Sequence, residues 1–226
     1  MNFFFDIDWI AFLPEFYLIF VANFLLMYGV FFSSSFRHNF PILVKNISWL
    51  ALESFLFVFF LLSNNVFQNT IIFSNFLIID FFSTSIKLFV TFSNIILLLI
   101  VLVYNQTEKI NNFEFIILNI FACIGLFFLV SAFDLISIFL ALELQSFCFY
   151  ILCCLKRQSE FSVEAGLKYF ILGAFSSGFF LFGCSFIFGF SGTTNLEKLL
   201  IFFNTFSYDY FHFDIACFIG MVFVFI

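Results

Sequence analysis

The sequence predicts an all-α integral membrane protein, a polytopic bundle of six transmembrane helices plus part of a seventh. Its composition is the first reason: 64% of the 226 residues are hydrophobic and only 10% are charged, whereas soluble domains carry roughly 25% charged residues. The mean hydropathy is +1.19. The second reason is that the apolar residues form runs long enough to cross the hydrocarbon core, which takes about 20 helical residues.

The predicted spans follow one another with only short polar segments between them. They are Ile10–Phe32, Ile47–Leu62, Leu77–Tyr104, Phe113–Ala132, Leu135–Leu155 and Val163–Phe190. A seventh apolar run, Phe213–Ile226, is too short to cross comfortably. Because orphan carbonyls at membrane depth are costly, we expect either a second polypeptide to continue the bundle there or a re-entrant segment.

Loop charges predict the orientation of the bundle. One side of the membrane receives five basic residues, Arg37, Lys45, Lys109, Lys156 and Arg157, and the other side receives only Lys198. The excess of basic residues marks the inner side, which places the N-terminus outside. The 48 phenylalanines indicate an AT-rich genome such as that of an organelle, and the opening residues lack a secretory or transit-peptide pattern.

Several classes of site are set aside by composition and spacing. No basic cluster suggests nucleic-acid binding, and no phosphate loop or catalytic triad is present. The six cysteines lie in apolar runs without metal-ligand spacing, so we expect them to be small buried hydrophobes. His38 and His212 fall in polar connecting segments, which argues against a haem-carrying subunit. The chain is predicted to move charge, with no cofactor or metal of its own.

Glu143 and Lys168, inside two successive apolar runs, are the leading functional candidates. A charge near the membrane centre costs about 2.5–3.5 kcal/mol, so such residues usually serve a function or pair with one another. Glu143 lies roughly 18 Å from the end of its span and Lys168 is shallower by roughly 10 Å, so the spacing does not by itself predict a direct ion pair. Glu164, one turn before Lys168, can pair with it. The alternatives are a hydrogen-bonded neutral carboxyl and a snorkelling lysine.

Further polar and small residues lie in the other spans. Glu53 and Lys87 are secondary functional candidates, with helix packing as an equal alternative; Asp80 precedes Lys87 on a similar face. Glu15 is expected at the membrane interface. Small residues in the sixth span are suited to close helix packing: Gly173, Ala174, Ser176, Ser177, Gly178 and Gly183.

Three motifs stand out between Leu129 and Leu196: ELQS at Glu143, EAGLKYFILGA at Lys168, and SGTTN after the sixth span. Together they resemble the chain 2 family of respiratory complex I, the NADH:ubiquinone oxidoreductase. The resemblance implies an antiporter-like subunit built from inverted repeats, with Glu143, Glu164 and Lys168 in the proton path. Phe133 departs from the family pattern, which has asparagine at that position.

The same resemblance implies how the chain is organised. Residues 1–112 would form an N-terminal three-helix segment, and residues 113–226 would begin the first antiporter-like repeat, with helices 4–6 and part of helix 7. The family has a lysine on the seventh span that partners the fifth-span glutamate, and this lysine would come after the last residue here. We therefore expect a separate polypeptide to carry the remaining helices, with a truncated sequence as the alternative.

The implied function is proton translocation coupled to quinone reduction in the mitochondrial inner membrane, with the N-terminus in the intermembrane space. The implied partners are other complex I membrane subunits, the continuing polypeptide and membrane lipids. Flavin, iron–sulfur clusters and ubiquinone would reside on other subunits, which leaves no redox chemistry to this chain. Two alternatives remain: a structural complex I subunit without an active proton path, and a free-standing cation/proton antiporter.

Overall fold

The computed structural model describes residues 8–32, 44–64, 70–107, 113–156, 159–205 and 211–225. Within them a helical turn over residues 8–11 leads into the main elements. In chain order these are α1 (Leu13–Phe32), α2 (Val44–Ser63), β1 (Thr70–Ile72), β2 (Leu77–Ile79), α3 (Phe81–Thr107), α4 (Glu114–Ser131), α5 (Leu135–Cys153), α6 (Glu160–Ser191), α7 (Leu196–Thr205) and α8 (Phe211–Phe225).

Six of these helices, α1 to α6, are long and apolar enough to cross a membrane. This confirms the predicted helical class and the number of spans. The orientation stays a prediction, because Arg37, Lys109 and Arg157 lie outside the described residues, as does His38. The expectation for the cysteines holds at Cys123, Cys148, Cys184 and Cys217, which are buried; Cys153 is exposed.

A β-hairpin precedes α3, so the prediction that the third span begins at Leu77 is wrong. The strands pair antiparallel, with Thr70 opposite Ile79 and Ile72 opposite Leu77. Three consecutive turn residues, Phe73, Ser74 and Asn75, have positive φ values of 52°, 55° and 74°, a conformation that is unfavourable for residues other than glycine. Tertiary contacts support it, since the Phe73 ring packs edge-on against Phe12 at 5.2 Å between centroids.

The first four spans form a bundle of their own. α1 packs on α2 and α4, and α3 packs on the same two helices, so α1 and α3 lie at opposite corners. The shared core includes Leu18, Phe55, Ile120 and Phe127, none of which is exposed. Beyond this bundle, α5 packs on α4, α6 on α5, and α8 on α6.

Glycines permit the close approach of α6 to its neighbours. A Cβ atom on Gly183 would lie 2.6 Å from the carbonyl oxygen of Gly220, and one on Gly173 would lie 1.7 Å from the Tyr150 hydroxyl. Gly178 has nothing within 4 Å of such an atom. The predicted packing role is therefore confirmed at Gly173 and Gly183, whereas Gly178 has no close neighbour among the described residues of this chain.

Main-chain hydrogen bonds join three turns at the hairpin end of the bundle. The Phe133 N–H donates to the Phe76 carbonyl at 2.9 Å, and the Leu196 N–H donates to the Phe133 carbonyl at 3.2 Å. Asp134 caps α5 by accepting from the Ile136 N–H at 3.3 Å. Because residue 133 contributes only main-chain groups to these bonds, phenylalanine in place of the family asparagine leaves the junction intact.

The SGTTN motif makes the turn between α6 and α7. Gly192 ends α6 in the left-handed conformation, with φ of 71°, and its N–H donates to the Phe188 carbonyl, as is usual for a glycine after a helix. The Asn195 side chain then accepts from the N–H groups of Glu197 and Lys198, at 3.1 and 3.3 Å, which starts α7. The segment predicted as a loop over residues 189–212 thus contains a ten-residue helix.

Candidate functional site

Glu143 lines a cavity of about 210 Å³ between α5, α6 and α8. Its side chain is half-buried. The cavity walls are formed by Phe139, Leu142, Glu143, Ser146 and Tyr150 of α5, by Gly173, Ser176, Ser177 and Phe180 of α6, and by Phe223 and Val224 of α8. A carboxyl group in such a place can hold either a proton or a charge, depending on which neighbours reach it.

Helical spacing explains why these residues share the cavity. Residues 139, 143, 146 and 150 recur at three- and four-residue intervals and so lie on one face of α5. Residues 173, 177 and 180 do the same on α6. The two apolar helices therefore turn their polar groups toward each other.

Four hydroxyl groups accompany the carboxyl group around the cavity. Three are serines that donate to main-chain carbonyls of their own helix: Ser146 to Glu143 at 3.0 Å, Ser176 to Gly173 at 2.8 Å and Ser177 to Ala174 at 3.1 Å. The fourth is the Tyr150 phenol, which has room because residue 173 is glycine. Each hydroxyl oxygen keeps acceptor capacity, so the wall can hydrogen-bond water or a proton donor.

Lys168 does not reach Glu143. It lies five residues before Gly173, about 140° around α6 from the cavity wall, and pairs with Glu164 at 2.6 Å as the spacing predicted. The two side chains are 71% and 60% exposed in this chain. The structure thus brings together Glu164 and Lys168 and leaves Glu143 on the other side of the helix.

A second pair of charges is fully enclosed in the N-terminal bundle. The Lys87 ammonium lies 2.5 Å from a carboxylate oxygen of Glu15, and both side chains are only 2% exposed. Glu15 is therefore enclosed by neighbouring helices, while its interfacial depth in the membrane stays a prediction. Lys87 is paired with α1, not with Asp80, while Glu53 lies on the exposed face of α2.

An amide pair adds to this buried polar interior. The Asn119 side-chain amide on α4 donates to Asn94 of α3 at 3.1 Å, and both residues are 8% exposed. Sequence reasoning missed this pair and the burial of Glu15. A signal was available on the third span, where polar residues recur on the face of Lys87 at helical spacing.

No metal centre emerges from the part of the chain that the structure covers. Across the described ranges, no three His, Cys, Asp or Glu side chains come close enough to hold a metal ion. The chemistry available at the two charged sites is proton uptake and release, since carboxyl, ammonium and hydroxyl groups are what they contain.

Comparison with known proteins places this arrangement in a family. Residues 132–226 match the family described as NADH:quinone oxidoreductase/Mrp antiporter, TM. NADH-ubiquinone oxidoreductase chain 2 of Marchantia polymorpha is 46% identical over 197 residues, which is 86% of this chain and 40% of that protein. NADH-quinone oxidoreductase subunit N of Parvibaculum lavamentivorans is 35% identical over 187 residues, 83% of this chain and 37% of that protein.

The chain belongs to the antiporter-like family of complex I membrane subunits. It spans about 40% of the length of the curated relatives that it matches. Respiratory complex I from Thermus thermophilus contains a chain of the same fold, with a TM-score of 0.66 at 20% identity over 93% of this chain and 42% of that chain. The archaeal membrane-bound sulfane sulfur reductase gives the same TM-score at 18% identity over 96% of this chain and 42% of that chain.

The antiporter-like family match separates the two charged sites. Every residue that lines the Glu143 cavity falls within residues 132–226, as do Glu164 and Lys168. The Glu15–Lys87 pair falls outside that range. The division of the chain at residue 112 stays a prediction, as do the roles of all these side chains in proton movement.

Proposed function

We propose that this chain takes part in proton translocation as a membrane subunit of an NADH:quinone oxidoreductase, with Glu143 as the group that exchanges the proton. The single observation that carries the proposal is the position of Glu143 in a hydroxyl-lined cavity between three helices. An ionisable residue within a membrane span is favoured when it faces a bundle interior or a wet path. The family membership supplies the kind of complex.

The proposed chemistry is one proton transfer at the Glu143 carboxyl. A cation that comes within about 4–6 Å favours the charged carboxylate, and its departure favours the neutral acid. The proton would thus leave Glu143 when the cation arrives and return when it withdraws. The serine and tyrosine hydroxyls can pass it on, because each can both donate and accept a hydrogen bond.

The cation in this proposal comes from a separate polypeptide that carries the remaining helices. The α8 wall of the cavity consists of Phe223 and Val224, which offer no charge. The lysine that the family resemblance predicts on the seventh span, after the last residue here, would fill this role. Lys168 and Glu164, exposed on the other face of α6, would carry charge toward the neighbouring helices.

The same proposal places the redox chemistry elsewhere. Flavin, iron–sulfur clusters and ubiquinone would reside on other subunits, and this chain would sit in the mitochondrial inner membrane with its N-terminus in the intermembrane space. Support for the location comes from the helices long enough to cross a membrane and from the similarity to the ubiquinone-type relatives of plants.

A second candidate function is that of a structural subunit without an active path. The observation that favours it is that Lys168 lies on the face of α6 away from the cavity that Glu143 of α5 lines. In that case Glu143 would be a neutral carboxyl held by hydrogen bonds between helices.

Proton pumping by a Glu143→Gln variant of the whole complex tests the proposal. The complex is reconstituted in liposomes, and translocated protons are counted per NADH oxidised. We expect fewer protons per NADH in the variant, with assembly retained, because glutamine keeps the size of the side chain and cannot ionise.

The matched control is Glu160→Gln, which makes the same change on the exposed first turn of α6 and should leave the ratio unchanged. A normal ratio in Glu143→Gln, with normal assembly, would favour the structural subunit instead.

A further inference from the structure

We propose that Glu15 and Lys87 form a second proton-exchanging site, reached from the hairpin end of the bundle along a polar face of α3. This inference rests on the proton-translocating function proposed above but concerns other residues, in the N-terminal bundle. Both side chains are 2% exposed, and neither contributes to the Glu143 cavity. They are the most deeply buried opposite charges in the described part of the chain.

Five polar residues, four on α3 and one just before it, lie along one face and are here called the α3 seam. They are Asp80, Ser83, Lys87, Thr91 and Asn94, and their spacings of three and four residues place them along one side of a helix. The seam covers about 21 Å at 1.5 Å per residue, roughly two-thirds of a hydrocarbon core of about 30 Å. Ser83, Lys87, Thr91 and Asn94 are buried, whereas Asp80 is half-buried beside the hairpin.

The two ends of the α3 seam differ: the half-buried Asp80 lies at one end, and buried apolar residues lie at the other. Asp80 lies where β2 ends and α3 begins, and its main chain exchanges hydrogen bonds with Ser83 at 2.8 and 2.9 Å. Past Asn94 the same face continues with Leu98 and Val101, which are buried and apolar. Because the polar face ends inside the bundle, the α3 seam can serve the Glu15–Lys87 pair from one side of the membrane only.

Glu15 provides the atom that can take up the proton. One carboxylate oxygen contacts Lys87, and the other, Oε2, is buried without a hydrogen-bond partner among the described residues. A buried acceptor without a donor is unfavourable, and more so when it is charged. Protonation at Oε2 forms one O–H bond and makes the carboxyl neutral, so the site gains one positive charge, which remains on Lys87. Release of the same proton restores the ion pair.

The groups around Glu15 and Lys87 show which charge acts on the Glu15 carboxylate. From α4, the Phe127 ring faces the Lys87 ammonium at 6.0 Å. Glu53 of α2 and Glu114 of α4 are exposed, and Asp80 lies about 10 Å along α3 from Lys87. Lys87 is thus the charged group in contact with Glu15, and its cation is what the carboxylate balances.

A purely structural role is the competing explanation. The pair joins α1 to α3 across the diagonal of the bundle, so it could simply hold those helices in register. An ion pair with a purely structural role requires neither an unpartnered carboxylate oxygen nor a buried polar face that leads to one end of the bundle. Apolar residues of similar size often replace such a pair without loss of stability.

The deciding variant is the double substitution Glu15→Gln/Lys87→Met in the assembled complex. It removes both charges while keeping side-chain volume, so the complex should assemble even if Glu15→Gln alone fails to fold. In liposomes we expect fewer protons per NADH than in the unaltered complex. An unchanged ratio would overturn the inference.

Infrared difference spectra between the oxidised and the NADH-reduced complex distinguish proton exchange from a purely structural role. An ion pair that only holds the helices together would give no carboxyl signal. A carboxyl that gains or loses a proton changes its C=O stretching band. We expect one such signal to vanish in the double variant and to persist in Glu160→Gln. A lower pumping ratio with the signal unchanged would show a positioning role and refute proton exchange at Glu15.

The outcomes also separate this inference from the proposed function. If Glu143→Gln lowers the ratio and the double variant does not, only the second site fails. If neither lowers it, proton translocation through this chain fails as a whole.

Discussion

The two halves of the chain differ in how deeply they bury their paired charges. In the N-terminal bundle, Glu15 and Lys87 are 2% exposed and form an ion pair with each other. On α6, Lys168 is 71% exposed within the chain. Burial of the spans varies as well: 56% of the α4 span and 28% of the α1 and α3 spans are buried against other parts of the chain, compared with 17% of the α6 span.

This difference shows which of these charges the chain encloses by itself and which it leaves on a surface open to neighbours. Apolar side chains gain little by leaving lipid for another helix, so helices in membranes associate through close packing and polar contacts. The N-terminal bundle places both kinds of contact inside the chain. The half that matches the family places Glu143 at a cavity and Lys168 on an outer face.

The largest expected effect comes from unpairing the enclosed charges. Lys87→Met should leave Glu15 buried without its cation and destabilise the fold by about 3–5 kcal/mol. The measurement is the temperature at which the detergent-solubilised complex loses its band on a native gel. The double variant with Glu15→Gln is the control and should recover most of the loss; equal losses in both would mean that the pairing of the charges is unimportant.

A smaller effect is expected where α6 crosses α8. Gly183→Ala would place a methyl group 2.6 Å from the Gly220 carbonyl oxygen, and such overpacking costs about 1–3 kcal/mol. Cysteines introduced at exposed positions on α6 and α8 can report the separation of the helices through cross-linking yield, which should fall.

Gly178→Ala is the matched control on the same helix, because nothing lies within 4 Å of the added atom. If both variants cross-link as well as the unaltered chain, the close crossing at Gly183 is not needed for α8 to dock.

The smallest effect is expected at the exposed ion pair. Lys168→Met removes a contact with Glu164 that is worth about 0.2–0.5 kcal/mol on a helix surface, less after screening. The native-gel midpoint should stay near that of the unaltered complex, in contrast to Lys87→Met. A loss as large as that of Lys87→Met would show that a neighbouring chain encloses Lys168 in the assembly.

Local patterns predicted much of this structure. The six spans follow from run length and hydropathy, the Glu164–Lys168 pair follows from four-residue spacing, and Gly183 was recognised as a packing residue because small side chains allow close approach. Each of these depends on residues that are near one another in sequence.

The features that were missed depend on distant parts of the chain. Glu15 lies near the start of α1 and suggests an interfacial position, but its partner Lys87 comes 72 residues later. The strands are three residues each, and so short an apolar run cannot be told from the start of a helix by periodicity. Their turn holds its unusual conformation through Phe12 and Phe73, a contact that no local pattern reveals.

The sequence by itself determined that the chain is a membrane helix bundle of the complex I antiporter-like family, because hydropathy, span length and the ELQS, EAGLKYFILGA and SGTTN motifs are written in consecutive residues. Only the tertiary structure decided which charged groups meet. The rotation of each helix about its axis and the neighbour against which it packs place Glu143 in a cavity, Lys168 outside it, and Glu15 against Lys87. Charges act over a few ångströms, so those rotations determine which groups can exchange a proton.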